Sequence, residues 1–240
     1  MSTDNAHLAL LLDAPLQSWG FASRFQRRTT GLYPTKSGVI GLVCAAMGIG
    51  KGTDAERTTL PRLAELKMTS IAIPRRVGGP RSVVAAPLPV RRMEDFHTVQ
   101  GTRRASGAPN KDPVVTRRQY LLEARFGVIL AGGRALLERV AVALQDPVWG
   151  VWLGRKSCIP AEPVLVALCT EQKTAWQAIL RAVKTDEALP MESFTRVEEV
   201  ADFAAGTDSY NDQPVSFGHA DSSSEGRAFS VRRVCLKTGD

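Results

Sequence analysis

The chain has 240 residues, is 44% hydrophobic, and carries 31 Lys and Arg against 24 Asp and Glu, a net charge of +7 with a pI near 9.5. That length and composition can bury a substantial core, so a wholly disordered chain is excluded. No apolar run approaches the roughly 20 residues that span a bilayer, and Met1 to His7 lacks the basic region of a signal peptide, so a cytoplasmic protein without membrane contact is expected.

In chain order, His7–Asp13 is apolar enough for a buried first strand. Residues 15–35 read as a long polar and aromatic loop. Ser37 is placed to cap a helix with apolar positions Val39, Ile40, Leu42, Val43, Ala46 and Met47, ended by Gly48 and Gly50. A short helix is predicted over Leu60–Lys67, with Pro61 in its first turn, then a strand over Met68–Ile73. Pro74–Pro113, rich in Arg, Gly and Pro, reads as an arm standing off the core, with a strand-like portion at Ser82–Val90. Gln119–Leu130 reads as one long strand, Gly132–Gly133 as a turn, and Arg134–Leu144 as an amphipathic helix ended by Pro147. This order fits an α+β fold built on a ferredoxin-like or RRM-like βαββαβ core. Beyond Pro147, β-like runs at Val164–Cys169 and Phe229–Leu236 flank a helix near Ala175–Val183. The expected division is a palm over 1–146, with the arm inserted at about 74–116, and a small β-rich C-terminal domain over 147–240.

Charge is unevenly placed. Arg75–Arg125 holds eleven Lys or Arg and four acids, an excess equal to that of the whole chain, while residues 186–212 are rich in acids. Such polarity suits a polyanion on one face. Thr29–Ile49 joins a Gly- and Tyr-containing turn to the first helix, no acid occurs between residues 14 and 53, and Arg24, Arg27 and Arg28 lie just upstream. Helix-start N–H groups beside Arg and Lys make a site for phosphate. Gly48-Ile-Gly-Lys-Gly-Thr53 is not a P-loop, because Gly52 stands where Ser or Thr must follow the lysine and the run follows its helix. His7, His97 and His219 share no metal-ligand spacing. Cys44, Cys158, Cys169 and Cys235 form no C-x-x-C pair, so neither metal nor cofactor is expected. His97, Lys36, Tyr33 and Tyr120 supply the residue types for metal-independent RNA cleavage. Nothing in the sequence makes them converge, and RNA binding without chemistry is the reading adopted. Trp19 and Phe21 can stack a base or pack down their own loop. Arg155 and Lys156, in a turn between Gly154 and Pro160, can grip phosphate or face solvent.

Three stretches in order resemble the CasD family, which holds the 5′ handle of the guide RNA in type I-E CRISPR Cascade. The first runs from Leu10 to Gly20 and on through Arg28–Leu42. The second is Asp95-Phe-His-Thr-Val-Gln100 followed by Thr116–Ala124. The third is Leu153-Gly-Arg-Lys-Ser-Cys158, with a weaker likeness at Gly226–Val234. The resemblance implies an RRM-like palm, an inserted arginine-rich thumb and a small C-terminal domain. It implies as partners the crRNA 5′ handle, the repeated backbone subunit, the large PAM-reading subunit and, through the complex, target DNA. It also implies binding without cleavage. A related type I-C branch cuts the precursor, and there His97, Lys36 or Tyr33 would be catalytic; a general RRM-like RNA-binding protein is a third reading. On the resemblance, Arg24, Arg27, Arg28 and Lys36 meet handle phosphates, while Tyr33 and the backbone at Thr35, Ser37 and Gly38 shape the pocket. His97 stands near the ligand, Arg103, Arg104, Arg117 and Arg118 line the thumb, and Arg155 and Lys156 lie at the turn.

Overall fold

The computed structural model describes residues 4–20, 26–77, 86–87, 90–104, 106–218 and 226–239. The first strand, β1 (Asn5–Asp13), is buried from Leu8 to Asp13 because other strands flank both its edges. The following loop contains two short strands, β2 (Leu16–Gln17) and β3 (Arg27–Arg28). The N-cap of α1 (Lys36–Ala46) is Thr35 and not Ser37: Thr35 Oγ1 accepts the Gly38 N–H at 3.3 Å. The glycine run after this helix is its C-cap. Gly48, at φ +70°, donates to Ala45 O at 3.2 Å and Ile49 to Cys44 O at 2.9 Å, the paired bonds of a Schellman ending.

The second helix, α2 (Asp54–Ala64), begins at Asp54 and not at Leu60, which places Pro61 inside it. Thr53 caps it by accepting the Glu56 N–H at 3.3 Å, and the buried Glu56 carboxylate accepts from Gly52 and Phe217 N–H. Then come β4 (Lys67–Ala72), β5 (Arg76–Val77), β6 (Ala86–Pro87), β7 (Arg91–Val99), β8 (Val114–Leu122) and β9 (Arg125–Gly133). Most of the Ser82–Val90 stretch, with Phe21, Arg24 and His219, lies outside the described residues. The single strand expected over Gln119–Leu130 is two strands. Glu123 takes φ +51°, β8 ends there, and β9 enters a different sheet. The remaining elements are α3 (Arg134–Gln145), β10 (Leu165–Cys169), α4 (Gln172–Ala182), β11 (Arg196–Glu199), β12 (Asp208–Ser216) and β13 (Ala228–Lys237).

The fold is mixed α+β around a seven-stranded antiparallel sheet ordered β10-β1-β9-β4-β11-β13-β12. Residues 1–146 and 147–240 share this sheet, because β10 bonds to β1 and β11 to β4. Strand alternation sends Leu8, Leu10 and Leu12 to one face, where Val39 and Val43 of α1, Leu60 and Leu63 of α2, and Leu137 and Val140 of α3 pack. Ala9 and Ile129 face the other side, under Trp176, Ile179 and Leu180 of α4. Among the described residues, no helix is long and apolar enough to cross a membrane.

Candidate nucleic-acid interface

The arm is a regular antiparallel hairpin of β7 and β8, in register from Arg91 opposite Leu122 to Val99 opposite Val114. On its other edge β8 pairs with β2 and, in parallel, with β3, which sets Arg27 beside Arg117 and Arg28 beside Arg118. Across β7, Phe96 opposes Arg117 and Asp95 opposes Arg118. Directly opposed residues share a face. One face of the arm therefore carries Arg27, Arg117 and Phe96, and the other Arg28, Arg118 and Asp95. Phe96 is 64% exposed, with the Arg117 guanidinium 5.3 Å from its ring centroid. These two residues line a cleft of about 420 Å³ with Gln26, Arg27 and Val115. Like charges directly opposed across strands are destabilising, so an anion laid on the Phe96 face relieves the Arg27–Arg117 pair, while on the opposite face Asp95 already stands across from Arg118. The Arg27–Glu94 contact, at 3.8 Å and largely exposed, contributes little against that.

The start of α1 is already satisfied from within the chain. The Lys36 N–H donates to Asp212 Oδ2 at 2.8 Å, so the anion anticipated at this helix start is the protein's own carboxylate. The Lys36 side chain is fully buried and its Nζ donates to both Glu199 oxygens, at 2.8 and 2.9 Å. Burial pulls its pKa below the ordinary lysine range, against the opposing charge of Glu199. Arg232 completes the cluster with two bonds of 2.8 Å to Asp212 and a 3.9 Å approach to Glu199. Lys36 is thus removed from the exposed cations, and part of the acidic 186–212 region is internal.

Beside this cluster lies a cleft of about 400 Å³ lined by Ser18, Trp19, Gly20, Arg28, Thr35, Ser37, Gly38, Gly154, Arg155, Asn211, Arg227 and Phe229. Among the described residues, three arginines and no acid line it. Its wall is held by a backbone junction: Ser18 N donates to Leu153 O at 3.0 Å, and Gly154, at φ +102°, lies so close that an added Cβ would stand 1.8 Å from Ser18 O. Only glycine fits there. Arg155 then reaches back to donate to Gln119 O and Arg28 O, both at 3.0 Å, and covers the Tyr120 ring at 4.6 Å. Its guanidinium clamps β3 to β8 while leaving its positive charge beside the cleft.

The other expected site residues are dispersed. Tyr33 is half-buried against Phe126, with ring centroids 6.1 Å apart, and burial raises its pKa. His97 is exposed on β7 opposite Thr116, whose hydroxyl bonds to its carbonyl at 3.1 Å. His97, Lys36 and Tyr33 do not line either arginine-bearing cleft. Arg103 and Arg104 are exposed at the tip of the arm, and Lys156 lies over the Trp152 ring at 5.8 Å. Trp19 is 1% exposed and bonds through Nε1 to Gln17 Oε1 at 3.0 Å, so it packs its own loop. Asn211, Arg227 and Phe229 were missed as site residues. The one sequence signal for the last two was the weak likeness over Gly226–Val234.

The described geometry can be set against known proteins. The family model for CRISPR-associated protein (Cas_Cas5), Cas_Cas5d, matches residues 7–235. The chain is 29% identical over 168 residues to the CRISPR system Cascade subunit CasD of Escherichia coli (strain K12), a match covering 68% of this chain and 71% of that protein. A solved chain of a CRISPR RNA-guided surveillance complex superposes with a TM-score of 0.66 at 26% identity, covering 96% of this chain and 88% of its own. A crystal structure of a Cas protein superposes with a TM-score of 0.58 at 27% identity, covering 96% and 93%.

Proposed function

Because the chain belongs to the CRISPR-associated Cas5 family, we propose that it is a subunit of a Cascade-type, RNA-guided surveillance complex that binds and caps the 5′ handle of crRNA without cutting it. Its further partners on this reading are the repeated backbone subunit and the large PAM-reading subunit, and target DNA is met through the complex. The observation that carries the reading is the cleft of Arg28, Arg155 and Arg227, with no acid among its described lining residues, continuous through Arg28 with the paired arginines of β3 and β8. Exposed arginine forks supply phosphate contacts, and a concave site beside them can take an unstacked base, which is how single-stranded RNA is bound.

The RRM-like reading of the palm is supported by the order β10-β1-β9-β4 with α1, α2 and α3 in the crossovers, and the β7–β8 hairpin is the thumb. An RRM stacks RNA on its open sheet face, but here α4 covers that face with Trp176, Ile179 and Leu180. RNA is therefore assigned to the arm and cleft, which argues against a free-standing RRM-type binder. The non-cleaving reading is supported by Lys36, whose amine is held by Glu199, and by Tyr33 packed on Phe126. The test is incubation of the purified protein with end-labelled repeat RNA in EDTA, with co-expression alongside Cascade subunits. Bound, uncut RNA and co-purification are expected. Site-specific cutting that His97→Ala abolishes would replace the reading with an endoribonuclease, and failure to co-purify would replace it with a solitary RNA-binding protein.

A further inference from the structure

The β12–β13 pairing slips between Tyr210 and Gln213, so Asn211 and Asp212 sit at a β-bulge. A bulge re-aims side chains and is often found beside a site. Here the two neighbours go opposite ways. Asp212 is 1% exposed and turns inward, held by two bonds from Arg232 and one from the Lys36 N–H. Asn211 turns outward into the arginine cleft, where its carboxamide has no hydrogen-bond partner among the described residues. From the adjoining strand, Phe229 lines the same cleft and Arg227, exposed, lies 4.9 Å from its ring centroid. The cleft therefore joins an unengaged amide donor and acceptor, a cation on an aromatic face, and Arg28.

We propose that the β12–β13 hairpin is the base-reading part of this site. One unpaired ribonucleobase enters the cleft, stacks on the Arg227–Phe229 pair, and is selected by Asn211 through hydrogen bonds to its edge, while Arg28 holds the adjoining phosphate. The cleft, at about 400 Å³, lies in the range of small-ligand sites. Side-chain amides pair with base edges in two directions at once, and guanidinium and aromatic faces stack bases without regard to sequence. Selection and stacking thus fall to different residues, and the buried Asp212–Arg232 pair is what fixes the aim of Asn211. This inference rests on the RNA-binding reading above.

The experiment measures fluorescence anisotropy of the full chain with short single-stranded RNA oligomers that differ at one base. Wild type should prefer one base at one position by about fivefold or more. Asn211→Ala should bring that preference within twofold by weakening the preferred oligomer most. Arg227→Gln should weaken all oligomers alike and leave the preference intact. Asn211 and Arg227 are both exposed, so both variants should fold, with circular dichroism spectra matching wild type as the control. A wild type that binds RNA without preference, or a preference that survives Asn211→Ala, overturns this inference alone. A wild type that binds no RNA overturns the proposed function as well.

Discussion

Replacing Asp212 by Asn keeps the shape of the side chain and removes its charge. In the native cluster Lys36 and Arg232 face Glu199 and Asp212, so the buried charges cancel. The Lys36, Arg232 and Asp212 side chains are each 2% exposed or less, so water does not replace what is lost. The variant leaves one uncompensated buried cation, cuts a bidentate pair of 2.8 Å bonds and weakens the acceptor that caps α1. Breaking a buried pair from one side costs about 3–5 kcal/mol. At roughly 2–4 °C per kcal/mol for a chain of this size, the melting temperature should fall by about 6–20 °C. Urea unfolding followed by circular dichroism measures the free-energy loss and thermal melting the shift in temperature, with Arg232→Met added as a partner variant. The double variant should recover part of the loss, because removing the Arg232 charge as well leaves Lys36 and Glu199 as a balanced pair with no uncompensated buried cation. A loss under about 1 kcal/mol for Asp212→Asn, or no recovery in the double variant, refutes the reasoning.

Two further outcomes follow from the same geometry. Gly154→Ala forces a Cβ onto Ser18 O at a positive φ, and neither backbone can move without breaking the Ser18–Leu153 bond. It should cost at least about 2 kcal/mol and weaken RNA binding together with stability, read by thermal melting and anisotropy; a neutral variant would show that the junction is slack. Burial works against the Glu198 carboxylate, but Lys237 and Arg196 outweigh it and hold its pKa below the ordinary 4.5. Its stabilising contribution is present above that value and is lost as pH falls through the lowered one. Glu198→Gln should lower stability at neutral pH and make the acid decline of the urea midpoint shallower, whereas parallel pH profiles would speak against the pairing.

What was legible in the chain was local. The apolar run of β1, the apolar positions of α1 and the amphipathic period of α3 were readable because each rests on neighbouring residues. The start of α2 carried a signal that went unused, Thr53 followed three residues later by Glu56. The break at Glu123 had no signal, since its left-handed backbone interrupts an otherwise strand-like run. Lys36 was assigned the right attraction and the wrong anion. Its carboxylates come from β11 and β12, more than a hundred residues later, and a charged residue destined for burial reads in sequence as a surface one. β11 and β12 went unread for the same reason, because Glu199 and Asp212 look like solvent-facing acids. The arginine positions were expected, but the pairing of Arg27 with Arg117 and Arg28 with Arg118 depends on a parallel strand contact that no local pattern encodes.

The central claim is that RNA lies on the arginines of β3, β8 and the adjoining cleft. The most direct test is the salt dependence of binding to single-stranded handle RNA, comparing wild type with the Arg27→Ala, Arg28→Ala double variant. Each phosphate contact on a single strand contributes about 0.7 to the slope of log affinity against log salt. If both arginines meet phosphate, the slope becomes shallower by about 1.4 and affinity at low salt falls. An unchanged slope with unchanged affinity would contradict the account and place the RNA elsewhere on the protein.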